Sequence, residues 1–261
     1  MGSFLFRETE FYYSDTGRGP CVIFLHGHLE NRRMWQPVID ELPATTRAVC
    51  LDLPGHGESG NLGYVHTMDQ MAEVVEALTV RLRLRRFILC GHSMGGYVAL
   101  AFAEKHPDLV KGLVLMNSTA RADSAEKKKN RDKAIAAARR NPQSFIRHTI
   151  PMLFRPKHRR GMRATVNTVK QEALKTSPQG AVAAIEGMKI RPDREVLLHF
   201  APYRVLLIAG ENDPVLPFDQ LKPQTQARQV TAVVTPNGHM GHLEDPGLVI
   251  PAIKKFIREN R

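Results

Sequence analysis

Six apolar runs, separated by stretches with helical spacing, constrain the fold of this chain more than any other feature. They are Cys21–His26, Arg47–Leu53, Phe87–Gly91, Val110–Asn117, Tyr203–Ala209 and Val230–Thr235. Most are continuous rather than alternating, which suits parallel strands covered on both faces. Between them lie helix-like segments. Thr67-Met68-Asp69-Gln70 opens one as a capping box, with Met71, Val74, Val75, Leu78 and Leu82 following at helical spacing. Met94 to His106 reads as a second, stopped by Pro107, and Asp245-Pro246 as the N-cap and first turn of a last helix running through Phe256. Strands alternating with helices predict an α/β fold built on a doubly wound, mostly parallel sheet. Two earlier runs, around Ser3–Phe6 and Glu10–Tyr13, suit an antiparallel start to that sheet.

The alternation stops in the middle of the chain. Ser124–Arg140, Pro142–Leu153, Lys157–Lys175 and Pro178–Lys189 all read as helical with no strand between them. The expected organisation is one domain: a core from 1–119 and 201–261, interrupted by a helical cap insertion over 120–200. The charge follows the same division. The chain carries 37 Lys and Arg against 26 Asp and Glu, a net of +11. Residues 121–194 alone hold 19 basic and 6 acidic side chains, so the rest of the chain is slightly acidic. Such a run is most often a solvated helical face, although it suits attraction of anionic substrates or a lipid surface. Interleaved aromatics and a recognised binding module are missing, so nucleic acid is not an expected partner.

Arg7, Glu8 and Glu10 interrupt the N-terminus where a secretory leader would be apolar, and no apolar run is long enough to span a bilayer. A cytoplasmic protein is expected. Cys21, Cys50 and Cys90 lie in core strands without metal-ligand spacing, and read as packing residues.

The chemistry points to Gly91-His92-Ser93-Met94-Gly95, a G-x-S-x-G motif directly after the Phe87 strand and opening a helix. A serine on such a turn is held in a strained backbone beyond the sheet, near a helix N-terminus that favours a developing anion. Acyl transfer also needs donors aimed at the tetrahedral oxygen. The backbone N–H groups of Met94 and of His28, in Leu25-His26-Gly27-His28, would supply them; the His26 and His28 side chains are expected only to pack. A serine needs an oriented base. Gly210-Glu211-Asn212-Asp213-Pro214 and Gly238-His239-Met240-Gly241-His242 each follow a strand on the same sheet edge, and bring carboxylates and histidines there in the chain order of such sites.

Taken in order, His26-Gly27, Asp52-Leu53-Pro54-Gly55-His56-Gly57-Glu58-Ser59, Gly91 through Gly96, Gly210 through Asp213 and Gly238-His239 with Glu244 and Pro246 resemble the α/β-hydrolase fold superfamily. The likeness is to its serine-nucleophile, helical-cap branch of esterases, C–C hydrolases and cofactor-free haloperoxidases. It implies Ser93 as nucleophile, His239 as base and Asp213 as its partner, with neither metal nor organic cofactor. It favours His239 over His242, since Glu244 stands five residues after His239 as family members have it, and Asp213 over Asp52, Glu211 and Asp245. Asn117 sits where some relatives carry the acid. The serine sets the chain apart from relatives that use aspartate on epoxides or carbon–halogen bonds. The implied function is hydrolysis of a small-molecule ester, an anionic one included. C–C hydrolysis of dicarbonyl acids is the alternative on the same residues, and a non-catalytic ligand receptor the alternative in another class.

Overall fold

The computed structural model describes every residue from Met1 to Arg261. Eight strands form one sheet: β1 (Gly2–Phe6), β2 (Thr9–Thr16), β3 (Cys21–Leu25), β4 (Arg47–Leu51), β5 (Phe87–His92), β6 (Val110–Met116), β7 (Arg204–Gly210) and β8 (Val230–Thr235). Their order is β1-β2-β4-β3-β5-β6-β7-β8. From β4 to β8 all neighbours are parallel, whereas β1 pairs β2, and β2 pairs β4, antiparallel. Arg7 and Glu8 join the first hairpin with positive φ at both positions, the two-residue turn that matches strand twist.

The helices of two turns or more are α1 (Met68–Arg81), α2 (Met94–Lys105), α3 (Ala125–Arg140), α4 (Pro142–Met152), α5 (Arg163–Ala173), α6 (Pro178–Lys189), α7 (Phe218–Thr225) and α8 (Pro246–Glu259). The Thr67–Gln70 capping box forms at the start of α1. One apolar cluster joins α1 and α2 to one face of the sheet; a second joins Trp35 and α8 to the other. Because β3, β5 and β6 are covered on both sides, their runs had to be apolar throughout. The three cysteines, on β3, β4 and β5, are free and buried, and burial pushes the Cys21 and Cys50 thiols up to about 12.

Four details depart from expectation. The helix expected over Lys157–Lys175 starts only at Arg163, after a short 3-10 turn at Pro156–His158. Gly161 and the adjacent basic side chains of Lys157, Arg159 and Arg160 disfavour a continuous helix there. Between β7 and β8, α7 fills a gap for which the sequence reading named no particular helix, and it buries Leu221 and Gln224. Asp245 occupies the N-cap position of α8 without capping it; its carboxylate instead accepts from the backbone N–H and the side-chain Nδ2 of Asn237. The apolar runs also overshoot the strands, as at Asp52-Leu53 and Asn117, where the chain has already left the sheet.

The sheet order decides where a site can form. From β3 the chain steps outward to β4, then crosses back to β5 on the other side of β3. Loops leaving β3 and β5 therefore diverge, opening a crevice at the carboxyl edge. Leu25 is in register with Gly91 across that gap, so His28 and Ser93 lie beside each other.

Candidate active site

Ser93 occupies the turn between β5 and α2 with φ +48° and ψ −114°, a conformation that a non-glycine residue adopts only when its surroundings enforce it. Ser93 N–H donates to Met116 O at 3.0 Å, and Ser118 Oγ donates to Ser93 O at 2.8 Å. The turn tolerates no side chain at Gly95, where a Cβ would collide with the carbonyl oxygens of Leu25 and His26. Ser93 is half-buried rather than exposed, because the central helices cover it.

Three predicted residues meet here. Ser93 Oγ lies 2.9 Å from His239 Nε2, and His239 Nδ1 lies 2.7 Å from Asp213 Oδ2. The other carboxylate oxygen of Asp213 accepts backbone N–H bonds from Val215 and Leu216, at 2.8 and 2.9 Å. Burial pushes the Asp213 carboxyl up, but the adjacent His239 and these two donors outweigh it and hold Asp213 below the usual aspartate range. An ionised Asp213 accepts the Nδ1–H of His239, which leaves Nε2 free to accept the serine proton.

The rival groups are occupied elsewhere. Glu211 is exposed. Asp52 accepts from Arg32 and from the backbone N–H of Glu58. His242 is buried beside Trp35 and His92, and burial lowers it to about 3. His28 Nε2 sits 2.9 Å from Ala181 O, while its own N–H donates to no group of the protein. Met94 is the first residue of α2, so its N–H has no intrahelical acceptor.

Two neighbours of the site, both singled out by the family resemblance, join its loops in ways that the sequence did not specify. Asn117, at φ +46°, donates from Nδ2 to Asp213 Oδ2 at 3.2 Å and to Gly238 O at 3.0 Å, joining acid loop to histidine loop. Glu244 accepts from Arg155 N–H at 2.9 Å and Met240 N–H at 3.3 Å, and His239 N–H donates to Leu153 O at 3.0 Å. The histidine loop is thus fastened to the helical insertion as well as to the sheet.

A cavity of about 240 Å³ opens above Ser93. His28, His92, Ser93 and His239 form its floor, and Tyr97, Phe145, Leu153, Ile185 and Met188 contribute apolar wall. Of the many basic residues in the insertion, only Lys127 and Arg131 reach it. Lys127 Nζ donates to Val215 O at 2.8 Å, which leaves two of its three protons unassigned. Burial and the nearby Arg131 lower its pKa.

The comparisons with known proteins agree with this geometry at the level of family. The sequence model of the α/β hydrolase fold matches residues 20–246. A solved thermophilic esterase from Thermogutta terrifontis, with malate bound, is 35% identical and superposes with a TM-score of 0.90, covering 96% of this chain and 94% of its own. The 2-succinyl-6-hydroxy-2,4-cyclohexadiene-1-carboxylate synthase of Enterobacter sp. (strain 638) is 26% identical over 92% of each chain. The pimeloyl-[acyl-carrier protein] methyl ester esterase of Nitrosomonas europaea is 39% identical over 40% of this chain and 39% of its own. With a hydrolase sheet, a serine on its strand-to-helix turn and a family match across most of its length, this chain belongs to the α/β hydrolase fold family.

Proposed function

We propose that the protein is a serine hydrolase that cleaves carboxylic esters through an acyl-enzyme on Ser93. The single observation that carries this reading is the continuous relay from Ser93 Oγ through His239 to Asp213, with heavy-atom distances of 2.9 and 2.7 Å. Such a relay has the geometry required of a nucleophile, its base and an orienting acid.

In this mechanism Ser93 Oγ attacks the ester carbonyl as its proton passes to His239 Nε2. Asp213 holds the imidazole in the required tautomer and stabilises its charged form. The carbonyl oxygen becomes an oxyanion between the N–H groups of His28 and Met94, neither of which has to abandon a protein partner. A donor so placed is worth roughly 3 kcal/mol of barrier. His239 then protonates the leaving alcohol, and water repeats the sequence to release the acid. Besides the ester and water, the mechanism draws only on side-chain and backbone groups of the chain.

The helical insertion is read as a cap that selects substrates. Lys127 and Arg131 on the cavity wall favour an ester bearing a carboxylate, and the malate in the Thermogutta esterase is a ligand of that kind. The same feature keeps C–C hydrolysis of a dicarbonyl acid as the second reading.

The test combines a serine-reactive phosphonate with a panel of aryl esters of graded acyl length, matched carboxylate-bearing esters and dicarbonyl acids. The proposal expects labelling at Ser93 and ester turnover. Turnover confined to dicarbonyl acids would favour the second reading, and absence of labelling would return the chain to ligand binding.

A further inference from the structure

Beneath Ser93 and His239 lies a second acid–histidine pair that the mechanism above does not use. Glu30 and His92 side chains are 3% and 1% exposed. Glu30 Oε2 accepts the N–H of Gly27 at 2.7 Å and lies 2.7 Å from His92 Nδ1. His92 Nε2 lies 3.0 Å from the backbone carbonyl oxygen of His239. Glycine is required at 27, since a Cβ there would stand 2.5 Å from Glu30 Oε2 and 2.8 Å from His92 Nδ1.

The bonding partners fix one of the ring protons outright. A carbonyl oxygen can only accept, so His92 Nε2 carries a proton. Nδ1 faces a carboxylate oxygen that already accepts from Gly27. If Glu30 is ionised, Nδ1 also carries a proton, and His92 is an imidazolium. Glu30 Oε1 has no partner within the protein, so the one proton at issue lies between Glu30 Oε2 and His92 Nδ1. The groups facing the pair are His26 and His28 from the loop after β3, Asp213 from the loop after β7, and His239 and His242 from the loop after β8, with Lys127 and Arg131 of α3 on the wall of the same cavity. Burial disfavours both charges, but their mutual attraction outweighs it, holding Glu30 down to about 2 and raising His92.

We propose that Glu30 and His92 are positioning residues, a buried carboxylate–imidazolium pair that holds the loop of His28 and the loop of His239 in fixed relation. Gly27 immediately precedes the His28 donor, and the His239 carbonyl belongs to the catalytic base itself. One ion pair therefore sets the distance between the oxyanion site and the base. This rests on Ser93 and His239 being the reacting centre. Deprotonation of His92 at high pH would remove one of its two donations, so turnover should fall there while substrate binding holds.

The experiment measures kcat and KM for a neutral aryl ester across pH in the wild type, Glu30→Gln and His92→Gln, together with ¹⁵N-imidazole NMR of the wild type. Expected are two exchange-protected ring N–H protons on His92 at neutral pH. Loss of kcat by roughly 10- to 100-fold with KM within about twofold is expected in both variants, the cost of a misplaced reacting geometry. The alkaline limb should disappear in His92→Gln, whose amide does not titrate, and move to lower pH in Glu30→Gln, where the imidazolium has lost its counter-charge. A purely structural role would lower thermal stability without moving that limb. A single ring proton on His92, or variants with wild-type kcat and an unmoved limb, would overturn the proposal. The NMR result stands whether or not the variants fold, and whether or not the enzyme proves to be an esterase.

Discussion

The sheet edge and the first helix of the insertion both contribute to one cavity, but they are held in place by different forces. At the sheet edge, backbone geometry positions the groups: a strained turn at Ser93, a glycine pressed against β3, and N–H bonds from Val215 and Leu216 that fix Asp213. The first helix of the insertion is held largely by charge, whereas α4, α5 and α6 bury apolar side chains in the main core and in smaller clusters. Of the sixteen residues of α3, only Ile135 and Ala138 are buried. Asp123, 2% exposed, pairs with Arg131 and with Arg191, whose guanidinium also lies 4.0 Å from the centre of the Tyr97 ring. Arg194 ties the end of the insertion to Asp69 and Glu104. On the proposed reading, the difference teaches that the chemistry and its selectivity sit on separable supports. Damage to the edge should stop turnover, and damage to the insertion should alter which substrate is turned over.

The sharpest break is at the edge. Ser93→Ala should leave a folded protein with no acyl-enzyme, as read by phosphonate labelling and mass spectrometry. His239→Ala should behave alike, whereas His242→Ala should retain activity within about tenfold, or roughly 1.4 kcal/mol of barrier. Swapped histidine phenotypes would mean that the relay seen here does not operate. Asp213→Asn should lower kcat by roughly 10⁴-fold, because the imidazole loses its orienting charge. An effect of only a few fold would sink its role.

The insertion should respond differently. Asp123→Ala leaves two poorly exposed guanidinium groups without their shared partner, and should destabilise the protein by about 3 kcal/mol, measured by urea unfolding. Little loss of stability would show that charge does not hold α3. Lys127→Met should lower kcat/KM about tenfold for a carboxylate-bearing ester, the worth of one charged hydrogen bond, and leave the neutral ester unchanged. Equal loss on both esters would remove Lys127 from substrate selection.

The smallest expected effect is on stability against pH. Glu30 is depressed from 4.5 to about 2, so its contribution is complete above its ordinary value and is lost as pH falls between them. His92 is raised from 6.5, so its contribution is complete below that value and is lost as pH rises through its folded pKa. Thermal unfolding should show a plateau between the two ordinary values, with declines on both sides. In Glu30→Gln the acid decline should shrink, and an unchanged acid decline would place the sensitive carboxylate elsewhere.

Local pattern in the chain determined much of this protein. Continuous apolar runs specified parallel strands, because a strand buried on both faces has no polar side to show. The glycines around Ser93 specified the turn, because only small residues allow that approach. The residues that follow β5, β7 and β8 therefore had to gather at one edge, and Ser93, Asp213 and His239 do. What the local pattern could not supply were contacts between residues distant in the chain whose types are common. Glu30 and His92 meet across 62 positions, and Asn117 and Asp213 across 96. Lys127 and Arg131 differ from the other basic residues of α3, all of them exposed, in the direction the helix turns them, towards the cavity rather than solvent. Sequence spacing encodes a helix face or a strand end, but pairings made across the crevice exist only once the sheet and insertion have closed around it.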